Sequence, residues 1–261
     1  MQPIGFERYL SYKKRVLGIK KMKLITKSVF TIGLLAMLIA LPAFGASVNK
    51  SVKIEAGTEA SGATSVNGSV SVGENAVVTG GVKTVNGTVR VDSGATIENA
   101  STVNGGVKIG SNVQAENLST VNGSVKVGES STISGDIEAV NGRITVAAGT
   151  TVARDVGNVN GQIELSGVEV GGDVTTVTGD VRIADGSVVK GNVIVEKPSS
   201  WGWGKSKSRK PRVVIGPGST VEGNIELERE VELFISETAS VGGVTGVMSI
   251  DDAERFSGEN P

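Results

Sequence analysis

The triplet Val-Asn-Gly recurs at 66–68, 85–87, 103–105, 121–123, 140–142 and 159–161, at intervals of 19, 18, 18, 19 and 19 residues. The register runs back to Val48-Asn49-Lys50 and forward to Val177-Thr178-Gly179. A fixed period of this length is the mark of a stacked repeat architecture, because each unit is too small to bury its own apolar face. One unit reads V-N-G-x-V-x-V, then a Gly-containing bend, a short stretch ending in Val or Ile, a second bend, and D/G-V-x-T. Residues 121–139 show it, with Val125, Val127, Gly128, Ile133, Gly135 and Ile137 in their places. Apolar and polar residues alternate in each stretch, as in a half-buried strand.

Two foldings compete for this pattern. Asn-Gly between alternating segments is a strong hairpin signal. However, Gly128 and Gly135 fall inside the strand that would join successive hairpins, and glycine there weakens a strand or bends it. Three short strands and three bends per unit fit better. The expected fold is all-β, a triangular parallel β-solenoid of about ten rungs of 18–19 residues. In it the triplet Val joins the core, and the triplet Asn takes the left-handed conformation of a sharp corner. Asn67, Asn86, Asn104, Asn122, Asn141 and Asn160 then form a structural ladder, each amide bonding the next. Gly follows because a side chain would crowd the bend. Thr84, Thr102 and Thr120, just before three of the triplets, recur with the same period.

Residues 1–45 follow other rules. Lys13, Lys14, Arg15, Lys20, Lys21, Lys23 and Lys27 precede a 14-residue apolar run, 28–41, and then Ala43 and Gly45. That order is a secretory leader, and the run is shorter than the ~20 residues of a membrane span. Met22 offers an alternative start. The expectation is export to the periplasm or cell surface, with an uncleaved inner-membrane anchor as the other reading. Without the leader 18 basic and 26 acidic residues remain, a net charge of −8. A body so acidic lacks the footprint of a general nucleic-acid binder.

The organisation expected is a leader over 1–45, a solenoid over 46–195, an insertion over 196–212, last rungs over 213–247 and an acidic tail over 248–261. The insertion is 14 residues long relative to the register, and "VVIGPGSTVEGNIEL" after it matches 125–139 position for position. Phe234 stands in the last looser copy as a plug for the end of the stack. The chain has no His and no Cys. His-based triads, thiol nucleophiles and ordinary zinc sites are therefore outside its chemistry. Asp136, Asp173 and Asp180 precede Val or Ile at what reads as one rung position, shared with Asn224, and a carboxylate row there is either a solvated face or a hard-cation site. No catalytic residue, metal or cofactor is assigned. The candidate binding residues are Trp201 and Trp203, the only tryptophans, with Lys205, Lys207, Arg209, Lys210 and Arg212. Aromatics beside clustered cations suit a membrane headgroup surface or an anionic polysaccharide.

The rungs "GPGSTVEGNIEL" and "GESSTISGDIEA" resemble the repeats of bactofilins, bacterial β-helices that polymerise end to end. The triplet array also resembles secreted adhesin-like β-strand-repeat domains of the bacterial envelope. The resemblance covers about 48–247 and implies a β-helix with a structural role. Bactofilins typically face the cytoplasm, whereas the leader here points to export. The function expected is non-enzymatic scaffolding in the cell envelope, with self-association through the solenoid ends. The alternative is a surface-binding module acting through the Trp-basic insertion.

Overall fold

The computed structural model describes residues 46–198 and 209–261. The expected leader lies outside them, as do Trp201, Trp203, Lys205 and Lys207. Among the described residues no helix is long and apolar enough to cross a membrane.

The chain winds as a parallel β-solenoid of about ten turns, and every strand pairing in it is parallel. The hairpin alternative is thereby set aside. Most turns contribute three strands, one to each face, and in the last turns one strand, Thr220–Leu227 or Ser240–Gly246, serves both the second and the third. Those of the first face carry the V-x-V motif, as in Val89–Val91, Val107–Ile109 and Val125–Val127. The second face takes two-residue strands such as Thr132–Ile133. The third takes longer ones, such as Asn117–Asn122 and Ile137–Asn141. Eleven strands stack on the first face, and the other two faces join into one sheet of 19 strands. Ten steps at ~4.8 Å make the rod about 48 Å long.

Stacking follows the repeat register, so like sits on like. Val107 pairs with Val125, and Val125 with Ile144. The inward Val and Ile are almost wholly buried and form one continuous core. Each contributes roughly 1.5–3 kcal/mol of burial free energy. The left-handed corner lies between the first and second faces. Asn75, Asn112 and Ser130 take φ of 55°, 57° and 54° there, and glycine holds the place at Gly57, Gly94 and Gly149.

Five expectations change. The triplet asparagines are not the left-handed residues; they close the third-face strands or stand just after them. The triplet valines do not join the core. Val66, Val85, Val103, Val121, Val140 and Val159 are half-buried and form a row outside it, while Ser65, Thr84, Thr102 and Thr120 point inward and are buried. Phe234 does not plug the stack: it is half-buried on the first face, with the Arg212 guanidinium 4.5 Å above its ring. Asp180 leaves the supposed carboxylate row, since it pairs in register with Gln162 on the first face. The acidic tail is more than an appendage, for Glu254–Phe256 adds a last strand to that face.

Candidate functional site

The described end of the insertion is tied to the rod. Asp180 receives it through both carboxylate oxygens, Oδ2 from the Arg209 guanidinium at 2.6 Å and Oδ1 from the Arg212 backbone N–H at 2.8 Å. The carboxylate holds the Arg209 guanidinium above its ordinary pKa. Lys210 pairs with Glu230 at 2.8 Å, which raises the amine and lowers the carboxyl. Arg212 donates to the Pro261 carbonyl at 3.2 Å, and Arg182 to the Glu259 carbonyl at 3.0 Å, so the tail folds back along the first face. Three of the seven candidate cation and aromatic residues are therefore engaged within the chain, and the other four lie outside the described residues. Sequence reading placed Asp180 in the carboxylate row and missed this role, because its partners stand about 30 residues further on.

Five of the six triplet asparagines form a ladder of amide hydrogen bonds. Asn67 donates its amide to Asn49, Asn86 to Asn67, Asn104 to Asn86, Asn122 to Asn104 and Asn141 to Asn122, at 2.8–3.2 Å. Asn160 lies in register with Asn141 and accepts from Thr178 at 3.3 Å. The amides from Asn67 to Asn141 are thus spent on their neighbours, and the row is structural. Beside it the inward Thr84, Thr102 and Thr120 donate to the carbonyls of Gly68, Gly87 and Gly105 in the rung before, at 2.7–2.9 Å.

A second polar row stands at the start of the third face. Asn117 donates to Asn99, and then Asp136, Asp155, Asp173, Asn192 and Asn224 each offer a backbone N–H to the side-chain oxygen one rung back. Asp136 and Asp173 share this row as expected, and Asp155 completes it. The Oδ1 atoms of Asp136, Asp155 and Asp173 hold the main chain in register, which accounts for carboxylates at this place. Among the described residues no group of three or more metal-binding side chains lies together.

Two further surfaces stand out, and the first of them escaped the sequence reading. On the first face Arg90, Lys108 and Lys126 occupy the x of V-x-V on consecutive rungs, in register and exposed. Arg143, one rung on and also exposed, flanks them. Like charges a rung apart repel by about 1 kcal/mol per adjacent pair in water, so the column costs the fold stability. The x position in successive V-x-V motifs was the signal. The other surface is the pair of ends. At the N-terminal end Val52–Ile54 and Glu59–Ala60 pair on one side only among the described residues. At the C-terminal end Ser240–Gly246 and Glu254–Phe256 do the same, beside an open groove of about 540 Å³ lined by Val241, Val244, Ile250 and Arg255. No protein-family model, curated protein or solved structure matches the chain.

Proposed function

We propose that the protein is a non-enzymatic structural rod of the bacterial cell envelope that assembles end to end. The observation that carries this reading is the pair of unpaired strand edges at the ends of an otherwise continuous parallel stack. Unpaired N–H and C=O groups on an edge are a template for another chain. At the N-terminal end the edge strands Val52–Ile54 and Glu59–Ala60 carry no proline, bulge or inward charge, whereas at the other end the register shifts between Val221 and Asn224 and Arg255 follows Ile235 in the inward column; Val241 and Val244 stay half-buried at the groove there. A second copy stacked head to tail in first-face register sets its Lys53 against Glu254, charges of opposite sign. Export rests on the leader read from the sequence, and the lack of His and Cys supports a role without catalysis.

Light scattering over a wide concentration range, with negative-stain electron microscopy, tests the assembly. Filaments or concentration-dependent oligomers are expected, and Val244→Lys, which puts a charge in the last rung, shifts them to monomers. A strictly monomeric wild-type protein at every concentration overturns the reading.

A further inference from the structure

We propose that Arg90, Lys108 and Lys126, with Arg143 beside them, bind one extended polyanionic glycan chain lying along the rod. This surface is on the side of the solenoid, so it does not depend on end-to-end assembly. The three columnar cations sit on consecutive rungs, about 4.8 Å apart, all exposed. None of the four takes part in an ion pair among the described residues, whereas Lys53, Lys190, Arg209 and Lys210 each hold an acidic partner. The fold does not need them, since Ser71 and Thr145 fill the same column one rung below and one above. They are concentrated on a body whose net charge without the leader is −8. A local positive stripe on an acidic protein draws a polyanion to one line and repels it elsewhere.

The neighbours of the stripe choose among polyanions. Two residues before Arg90 and Lys126 stand Thr88 and Ser124, at least partly exposed, with Gly106 in that place beside Lys108, so hydroxyls flank the outer two charges. A glycan with an acid group on each sugar presents charges at an interval close to the rung spacing, and its own hydroxyls meet those of Thr88 and Ser124. The sequence has no aromatic residue between Phe44 and Trp201, so the stripe has no platform on which nucleobases could stack. Asp92, Glu74 and Glu129 follow the strands at the adjoining corner. An anionic bilayer pressed flat on this face would have to cover these carboxylates along with the cations.

Affinity electrophoresis and titration calorimetry of the full chain test this with polygalacturonate, dextran, a single-stranded oligonucleotide and phosphatidylcholine–phosphatidylglycerol vesicles. Polygalacturonate is expected to bind with an affinity that falls as salt rises, and dextran not to bind. The triple variant Arg90→Thr, Lys108→Thr, Lys126→Thr should keep the fold by circular dichroism and lose roughly 10-fold or more in affinity. The single Lys108→Thr, at the centre of the stripe, should lose part of that. Lys190→Thr with Lys210→Thr, which removes cations elsewhere, should bind as the wild type does. The proposal is overturned if the wild type ignores polygalacturonate, if the triple variant retains its affinity, or if the oligonucleotide or the vesicles bind more tightly than the glycan.

Discussion

A methyl group on Gly123 would fall on the carbonyl of Gly105 in the rung before, and that backbone is fixed by the stack. Gly57 differs, because a methyl group there meets nothing within 4 Å and the constraint is its φ of +65°. The two glycines thus respond to substitution in opposite ways. Gly123→Ala should cost roughly 3 kcal/mol through overpacking against main chain. Gly57→Asn should change stability by less than about 0.5 kcal/mol, since Asn75 and Asn112 already hold the left-handed corner in later rungs. Equilibrium denaturation of the two variants checks this contrast, and equal losses would contradict it. At this scale the sequence showed that glycine must follow each asparagine. It did not show that valine faces out while threonine faces in. Hydropathy argues the reverse, and is overruled because each threonine hydroxyl meets a glycine carbonyl that has turned toward the corner.

Rows of identical groups are the elements of this molecule as much as strands are. In the carboxylate row, Asp155 accepts the Asp173 N–H at 2.9 Å, while its own N–H goes to Asp136 at 3.1 Å. An amide oxygen does the same at Asn117 and Asn192. Asp155→Asn should therefore be neutral or slightly stabilising, because it keeps the acceptor and removes a like-charge neighbour on either side. Asp155→Ala should cost about 1 kcal/mol, the net worth of one such bond. Thermal melts at low and high salt separate the two causes: the Asn variant's advantage should shrink with salt and the Ala variant's loss should persist. Period, strand order and the match of 213–227 to 125–139 were legible because they depend on local spacing. The anchoring of the insertion was not, because Asp180 finds Arg209 and Arg212 only once the intervening chain is wound.

The whole rod is a sum of nearly equal layers, so its length should be adjustable. Deleting residues 100–117 joins Asn99 to Leu118, and since Asn99 stacks on Asn117 the register closes again. The shortened protein should fold cooperatively, with the same circular dichroism per residue and a rod about 5 Å shorter by small-angle scattering. Loss of folding would show that the layers are not interchangeable. End-to-end assembly should survive the deletion, since neither terminal edge is touched.

The parallel stack also decides how such a rod would bear load. The backbone hydrogen bonds between rungs run along the rod axis, so a pull on the two ends strains one layer's bonds at a time. A layer that peels away releases an 18- or 19-residue length of chain, roughly 60 Å when extended, while the layers beneath stay wound. Under tension the molecule is a spool, yielding in steps of nearly one size along the VNG layers and in one longer step at the layer that carries the insertion, where Val181 stacks on Val213.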